Sequence, residues 1–474
     1  MTTMALEPTG PAILQAARGR PWREALAGRS VTVVGLARSG IAACRLLLAL
    51  GARVTGTDAR GADALPAEAR ALGTDGVRLV IGGHPEAAFE GAELVVVSPG
   101  VPANHPALAG CRARGVPVLG EVELAYRTMT AEFVAITGTN GKTTTTALTG
   151  ALLEESGRPV LVGGNIGRPL AAEALHFPAD GWVVAEVSSF QLETTDAFRP
   201  RVAAILNITP DHLDRHGSLA AYAEAKARIF RAQGPEDWAV LNADDPGAAS
   251  LAPRVRARLL WLSRRQPVTQ GAWVREGWVT LRLGAGDRPV CPVDDIFLRG
   301  AHNLENVLAA TACAGALGVP PDRLRAAIRA FRGVPHRLEW VRDRGGVAFY
   351  NDSKGTNVDA TLKALAAFDE PIVLIAGGRE KAQRFDALAA AARGRVKAAI
   401  VIGEGRATLG PALRAVTHVE DAASMAEAVR RAAALAVAGD VVLLSPACAS
   451  FDMFRDYEHR GAVFAEEVRA LPEP

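Results

Sequence analysis

The chain has 474 residues, of which 49% are hydrophobic and 22% charged, a composition typical of a folded protein of about three domains and unlike that of a disordered chain. Its 53 basic residues nearly balance its 51 acidic residues, which argues against a nucleic-acid-binding surface. No stretch reaches the roughly 18 apolar residues that a membrane span needs, and the N-terminus has no export signal, so we expect a cytoplasmic protein.

Cysteine and lysine are used sparingly. The five cysteines are scattered and form no Cys-x-x-Cys pair, so we expect buried packing residues rather than disulfides or a zinc site. Because arginine serves wherever a permanent positive charge suffices, the few lysines should be enriched where a compact or titratable amine is needed. There are six, namely Lys142, Lys226, Lys354, Lys363, Lys381 and Lys397.

Short β-branched runs alternate with Ala- and Leu-rich stretches from Val31 onwards, which predicts parallel α/β units. We therefore expect an α/β protein with three doubly wound, Rossmann-like domains and mainly parallel sheets, the middle domain being P-loop ATPase-like. The domains are placed at residues 1–128, 129–333 and 334–474, with a loosely ordered lead-in over 5–29 and a hairpin around 273–281. The predicted strands are 31–34, 53–57, 94–97, 133–136, 182–184, 202–206, 372–376, 398–402 and 441–444.

The first predicted domain opens with Gly35-Leu-Ala-Arg-Ser-Gly40, followed by a helix and by a second strand that ends in Asp58. This is the pattern of a nucleotide-binding fold, in which a helix N-terminus faces a phosphate. Ala37 occupies the position of the second glycine, where a side chain hinders a close pyrophosphate, so a nicotinamide dehydrogenase is disfavoured. A uridine nucleotide, another nucleotide and a nucleotide-free domain remain open.

The strongest motif is a phosphate loop at Gly138-Thr139-Asn140-Gly141-Lys142-Thr143-Thr144, which follows a predicted strand and opens a helix. Backbone amides of such a loop cradle phosphates, while Lys142 would reach the terminal phosphates and Thr143 could bind magnesium. The sequence therefore predicts ATP binding in the middle domain.

Polar residues follow the neighbouring strands, where the carboxyl ends of a parallel sheet meet. Glu186 and His212 come after two of them and could bind magnesium directly or through water. Asn165 lies in a glycine-rich turn and could contact substrate. Lys226, on the next helix, has the pattern of an exposed helical cation, and a cation beside magnesium would be electrostatically unfavourable.

Three loops of the third predicted domain follow strands and precede helices: 351–357, 377–381 and 445–457. With Lys354 and Lys381 and the helix start after Ser450, they could form a pocket for a small dianion or dicarboxylate. Unrelated surface loops are the competing interpretation.

Together these motifs resemble the ATP-dependent Mur ligases, from about Val31 to the C-terminus. The segments that resemble the shared ATP signatures of that family are 137–144, Glu186 with its Ser-Ser-Phe-Gln, His302-Asn303-Leu-Glu-Asn306 and His336-Arg337. The segment 445–452, with Arg460-Gly461, resembles the D-glutamate-adding member.

The resemblance implies a ligase that joins D-glutamate to UDP-N-acetylmuramoyl-L-alanine through an acyl phosphate, as a monomer in the cytoplasm, using ATP and two Mg²⁺ ions. Catalysis would rest on Lys142, Glu186, His212 and Lys226, and the metal ligands would be Thr143, Glu186, His212 and a carbamylated Lys226. A carbamate replaces the unfavourable cation with an anion. The implied ATP contacts are residues 138–144, Asn303, Asn306, Arg337 and Asp352.

The resemblance also implies two sets of substrate contacts. Those for the uridine nucleotide are Arg38, Ser39, Asp58 and Asn165, and Ser188 is a further substrate contact. Those for D-glutamate are Lys354, Thr356, Lys381, Ser450 and Tyr457. Another Mur ligase or a folylpolyglutamate synthetase would share the ATP machinery, whereas a dehydrogenase or a non-catalytic nucleotide sensor would leave Glu186, His212 and Lys226 without a role.

Overall fold

A computed structural model describes residues 12–380 and 384–473. These residues form two compact units, the first made of residues up to 293 together with 305–328, and the second of 294–304 together with the residues from 329 onwards. The first unit carries two β-sheets and the second carries one. The predicted boundaries at 128 and 333 remain predictions.

The first sheet is entirely parallel, with strand order β3-β2-β1-β4-β5. From β1 the chain adds β2 and β3 on one side and then β4 and β5 on the other, so the sheet is doubly wound, as predicted. The loops after β1 and β4 therefore lie at the point where ligands bind in such sheets. Its strands are β1 (Ser30–Val34), β2 (Arg53–Asp58), β3 (Arg78–Ile81), β4 (Leu94–Val97) and β5 (Val118–Gly120).

The predicted loosely ordered lead-in is wrong for residues 12–29, while residues 1–11 lie outside the described part of the chain. Two short helices form there, and the second buries Trp22 and Leu26 completely. These two apolar side chains stand four residues apart and so share one helix face, and their burial offsets the cost of ordering the segment.

The second sheet has nine strands in the order β14-β13-β12-β11-β10-β9-β6-β8-β7. The seven neighbouring strands that run from β12 to β7 in this order are parallel. The antiparallel pair β12 and β13 is the predicted hairpin. Both sheets of the first unit contribute to one continuous apolar core. The strands are β6 (Glu132–Thr137), β7 (Val160–Gly164), β8 (Trp182–Glu186), β9 (Val202–Ile205), β10 (Trp238–Asn242), β11 (Arg258–Ser263), β12 (Gly271–Arg275), β13 (Trp278–Arg282) and β14 (Arg288–Pro292).

The third sheet lies in the second unit and has the order β15-β16-β20-β17-β18-β19, parallel except for the β15–β16 pair. Apolar clusters cover both of its faces, which explains why its central strands are continuous hydrophobic runs. The strands are β15 (Glu339–Arg344), β16 (Val347–Asn351), β17 (Ile372–Gly377), β18 (Val396–Ile402), β19 (His418–Ala422) and β20 (Val441–Leu444).

The helices connect the parallel strands. Those of the first unit are α1 (Ala12–Gln15), α2 (Arg20–Leu26), α3 (Arg38–Ala49), α4 (Ala67–Ala71), α5 (Pro106–Ala113), α6 (Glu121–Thr128), α7 (Lys142–Glu154), α8 (Leu170–Glu173), α9 (Ser189–Leu192), α10 (Leu213–His216), α11 (Leu219–Ala227) and α12 (Pro246–Ala249). Helix α13 (Ala301–Ala316) has residues in both units and is followed by α14 (Pro321–Ala330). The second unit continues with α15 (Val358–Leu365), α16 (Asp386–Ala392), α17 (Leu409–Arg414), α18 (Met425–Leu435) and α19 (Tyr457–Ala470).

All nine predicted strands are present, so the predicted α/β class with mainly parallel sheets is confirmed. The five cysteines are buried, also as predicted. Within the described ranges, no helix combines the length and apolar character needed to traverse a bilayer.

Candidate active site

The phosphate loop joins β6 to α7, as the motif predicts. Gly141 caps the helix with φ +82°, and a side chain there would collide with Asn306, so the position requires glycine. Asn306 also accepts a hydrogen bond from Thr145 Oγ1 at 3.1 Å, which ties α13 to α7. Asn306 therefore lies beside the loop that it was predicted to serve.

The loop is held in shape by the segment that follows β9. The Asn140 amide donates to Asn207 Oδ1 at 2.8 Å, and the Thr139 amide donates to Asn207 O at 3.0 Å. Helix α7 is 13 residues long and presents the positive end of its dipole to the loop, with Thr143 and Thr144 in its first turn. This arrangement suits a phosphate group.

Lys226 lies directly beside the phosphate loop, and the prediction of an exposed helical cation is wrong. Its side chain is 1% exposed, and Nζ donates to Gly138 O at 2.9 Å. Lys142 Nζ donates to the same oxygen at 2.8 Å. Burial, together with the charge of Lys142, lowers the pKa of Lys226 to about 6, against the opposing effects of Asp211 and Glu186. This environment therefore favours the neutral form of the amine.

Glu186 ends β8 and is buried. Its Oε1 accepts a hydrogen bond from Asn165 Nδ2 at 2.7 Å, whereas its Oε2 is buried without a hydrogen-bond partner among the described residues. Gly164 has φ +99°, and a Cβ there would collide with the backbone of Glu186, so the turn that carries Asn165 needs glycine at this point. A buried carboxylate oxygen without a partner is costly unless a cation or a donor completes it.

His212 stands at the N-cap of α10 in the left-handed conformation, with φ +51°, and its side chain is 52% exposed. The following turn is tied down by Glu193, which accepts from Arg215 at 3.2 Å and lies 3.4 Å from His216 Nδ1. His216 Nε2 in turn lies 3.0 Å from Ser189 Oγ. Arg215 also donates to Pro99 O, so the loop after β4 and the α9 region together hold the turn that starts at His212.

Four residues predicted to bind the uridine nucleotide, Arg38, Ser39, Asp58 and Asn165, line one cavity of about 400 Å³ in the first unit. The loops after β1, β2 and β4 line this cavity together with the turn after β7 and Gln191 of α9. Through Asn165 the cavity is connected to Glu186.

Two residues of the predicted substrate-binding set, Asp58 and Ser188, have their polar atoms engaged within the chain. Asp58 accepts from the Leu36 amide at 2.7 Å and from Arg60, whose guanidinium holds the pKa of Asp58 well below its usual range. Ser188 caps α9 through a reciprocal pair of bonds with Gln191. In the described structure, both side chains shape the loops around the cavity.

The second unit gathers another part of the predicted ATP set. Asp352 follows β16 and accepts from Ser445 Oγ at 2.8 Å. Burial raises its pKa to about 7, although Ser445 and Arg337 oppose this effect. Arg337 has a buried Nε without a hydrogen-bond partner among the described residues. Asn303, in the same unit, donates to Arg299 O at 2.7 Å.

Lys354 and Tyr457, both predicted to contact D-glutamate, lie together: the ammonium is 5.3 Å from the centre of the tyrosine ring. Ser450 is buried, and Thr356 follows in the same loop as Lys354. Lys381 lies outside the described residues.

Sequence reasoning missed several residues that hold these loops. Arg60 lines the 400 Å³ cavity and donates a hydrogen bond to Asp58. Its position two residues after an aspartate that ends a strand could have indicated this pairing. Arg460, which the sequence singled out only through a family resemblance and without a role, is completely buried. It donates to Ser353 and to Cys448 O, which joins two of the predicted third-domain loops. For Glu193 and Arg215 the sequence carried no signal, because their pairing depends on tertiary structure.

Comparison with known families gives three matches along the chain. Residues 29–120 match the Mur ligase MurD-like N-terminal domain, residues 136–314 the Mur ligase middle domain, and residues 336–448 the Mur ligase glutamate ligase domain. The chain is also 48% identical to the UDP-N-acetylmuramoylalanine--D-glutamate ligase of Pelotomaculum thermopropionicum, over 94% of this chain and 98% of that protein. The chain belongs to the Mur ligase family.

Further relatives carry the same name. Identity is 49% to the protein of Acidobacterium capsulatum, over 94% of this chain and 97% of that one, and 47% to the protein of Koribacter versatilis, over 94% and 98%. Among solved structures, the MurC ligase of Thermotoga maritima aligns with a TM-score of 0.56 at 19% identity, over 93% of this chain and 99% of that chain. MurF of Acinetobacter baumannii gives 0.56 at 17% identity, over 96% and 92%. These likenesses show the Mur ligase fold.

Proposed function

We propose that this Mur ligase joins D-glutamate to UDP-N-acetylmuramoyl-L-alanine at the expense of ATP, a step in the synthesis of peptidoglycan precursors. Relatives that carry this activity in their names are 42–49% identical to the chain over 94% of its length. The observation that carries the proposal is the convergence of Lys142 and Lys226 on one carbonyl oxygen of the phosphate loop, with Glu186 at the adjacent strand end.

The chemistry requires activation, because a carboxylate does not condense with an amine in water. Transfer of the γ-phosphoryl group from ATP to the alanine carboxylate gives an acyl phosphate and ADP. The amine of D-glutamate then attacks the acyl carbon, a C–N bond forms, the amine loses a proton and phosphate leaves. Lys142 and the amides that open α7 would hold the transferred group and balance its charge.

The residues around the phosphate loop fit magnesium, which prefers oxygen ligands and is usually held by one or two carboxylates together with substrate phosphates. Glu186 offers a buried oxygen without a partner, and Thr143 lies in the first turn of α7. In the described ranges no three His, Cys, Asp or Glu side chains cluster as a metal site, which suits an ion completed by phosphate oxygens. We assign Thr143 and Glu186 to one ion and His212 and Lys226 to a second. Bound magnesium would neutralise charge on the phosphates.

We further propose that Lys226 is carbamylated. Its buried neutral amine can attack CO₂, which forms an N–C bond and releases one proton to solvent. The product is an anion beside Lys142, and its charge would be attracted to the ammonium group of Lys142. This modification would also supply the oxygen ligand that an unmodified lysine cannot.

For the substrates, we assign the uridine nucleotide to the 400 Å³ cavity that contains Arg38, Ser39 and Asn165. Lys354, Thr356, Lys381, Ser450 and Tyr457 are assigned to D-glutamate. Asn303, Arg337 and Asp352 are assigned to ATP, with the phosphate loop and Asn306. Because ATP and the uridine nucleotide are soluble metabolites of the cytoplasm, we place the reaction there. We also propose that the protein is a monomer, which light scattering can test.

The proposal is tested by phosphate release from ATP and magnesium in the presence of UDP-N-acetylmuramoyl-L-alanine. D-Glutamate, L-glutamate, L-lysine and diaminopimelate are compared as acceptors. Release with D-glutamate alone is expected. Release with another acceptor would reassign the second unit while keeping the ligase chemistry, and no release with any acceptor would contradict the proposed function.

The role of Lys226 is tested with Lys226→Ala, which should lose nearly all activity and recover part of it when a short-chain carboxylic acid such as acetate or propionate is added. The exposed lysine Lys363, which pairs with Asp359, provides the matched control Lys363→Ala. Full activity of Lys226→Ala would contradict the assignment.

A further inference from the structure

A second cavity in the first unit, of about 580 Å³, shares no lining residue with the cavity that contains Asn165. Its size is typical of small-molecule sites. Its lining includes the apolar residues Leu14, Pro117, Val118 and Leu119, which we call its apolar wall. None of the residues predicted for ATP, metal or substrate lines it.

Both carboxylates that line this cavity already have arginine partners outside it. Glu193 is paired with Arg215, and Asp196 accepts from Arg127 at 2.8 Å. Neither Arg215 nor Arg127 lines the cavity. The negative charges on the wall are therefore largely neutralised.

Three guanidinium groups line the same space, those of Arg112, Arg228 and Arg231. The guanidinium of Arg231 lies 3.4 Å from Asp196, the carboxylate that Arg127 also contacts. Arg112 and Arg228 form no salt bridge with any described residue. Each of these two donates to backbone oxygens: Arg228 to Leu192 O and Thr195 O at 2.8 Å, and Arg112 to Ala103 O at 2.6 Å. These bonds use only some of the five N–H groups of each guanidinium.

The walls of the cavity are fixed to each other. The Gly120 amide donates to Thr194 O at 2.9 Å, and buried Glu123 accepts from the amides of Asp196, Ala197 and Phe198. A ligand would therefore not have to order the site, which lowers the cost of binding. Arg228 directly follows helix α11, which carries Lys226, so a ligand here would contact the segment that extends the helix behind the phosphate loop.

We infer that this cavity binds a small organic anion with an apolar body, whose acidic group is held by Arg112 and Arg228 while its body lies on the wall formed by Leu14 and residues 117–119. Guanidinium groups bind phosphate and carboxylate oxygens through paired hydrogen bonds, and the site offers two that form no salt bridge with a described residue, although Glu193 and Asp196 lie close enough to Arg228 to interact with its charge. The apolar wall selects against a bare inorganic anion.

The probe is 1-naphthyl phosphate, titrated by calorimetry into the full chain without ATP. 1-Naphthol and inorganic phosphate are the uncharged and the purely anionic comparisons. Arg112→Gln should weaken binding about fivefold or more, since it removes a partly exposed charged hydrogen bond. Arg114→Gln, two residues along and outside the cavity, is the matched control and should bind within about twofold of the unmodified chain.

The phosphate loop is the competing site, and Lys142→Ala separates the two, because binding in the proposed cavity should survive this change. Loss of binding in Lys142→Ala, equal binding by Arg112→Gln and Arg114→Gln, or affinities for 1-naphthol or inorganic phosphate that match the probe would each overturn the inference. The assay involves no ligase turnover, so its result is independent of the proposed function.

Discussion

Glu121, at the start of α6, is a carboxyl group buried in the first unit with one unsatisfied oxygen. Its Oε1 accepts from the Ala171 amide at 2.6 Å and so fixes the start of α8, while Oε2 has no hydrogen-bond partner among the described residues. Burial raises the pKa of Glu121 to about 7, against the opposing backbone hydrogen bonds. We therefore expect this residue to make the stability of the unit depend on pH.

The sign follows from proton linkage. The folded state holds the proton more tightly than the unfolded chain, so the contribution of Glu121 to stability is most favourable below the ordinary pKa of 4.5 and is lost as the pH rises to about 7. At 1.36 kcal/mol per pH unit the full loss is about 3 kcal/mol, of which about 2 kcal/mol falls above pH 5.5.

Glu121→Gln keeps the acceptor for the Ala171 amide and removes the charge. The variant should gain stability over the unmodified chain by about 2 kcal/mol between pH 5.5 and 8.5, which corresponds to a shift of several degrees in Tm measured by calorimetry. Glu90→Gln, at an exposed glutamate, should show no such trend. A difference between Glu121→Gln and the unmodified chain that is the same at every pH would refute the reasoning.

Three further predictions concern the candidate active site. Lys354→Ala should raise the KM for D-glutamate about tenfold or more in steady-state kinetics, with kcat less affected, because it removes a charged hydrogen bond to a carboxylate; an unchanged KM would remove Lys354 from that pocket. Gly164→Ala should lose about 2–4 kcal/mol of stability in denaturant unfolding, since the added methyl group strains a positive-φ turn against Glu186; wild-type stability would show that the turn can relax. Glu193→Gln should lower kcat more than it raises KM for either substrate, because it loosens the turn that begins at His212, and a KM effect alone would contradict this.

The sequence was sufficient to predict the strands that end at the site, because each is a β-branched run followed by a glycine or a polar residue. The phosphate loop could be recognised since its glycines and lysine have fixed spacing. The sequence was not sufficient to predict the structure of residues 12–29, where Trp22 and Leu26 stand among many arginine and alanine residues. Composition there suggested disorder, whereas two buried side chains decide the structure.

Lys226 illustrates what the pattern could still have revealed. It lies four residues after Tyr222 and three before Ile229, both buried, so it shares the inward face of the helix. Charge alone had suggested exposure. The pairing of Asp58 with Arg60, by contrast, competes with the substrate role predicted for Asp58, and no pattern in one sequence indicates which partner a carboxylate will take.

The common contact of Lys142 and Lys226 with Gly138 O links burial to chemistry. Each nitrogen lies within 2.9 Å of that oxygen, so the two are less than 6 Å apart. If both were protonated they would repel each other by about 3 kcal/mol at an effective dielectric constant of 20. A phosphate group on Lys142 relieves part of this repulsion, and a carbamate on Lys226 reverses its sign. The fold thus favours at this position a lysine that gives up its positive charge, which is the property that the proposed metal site requires.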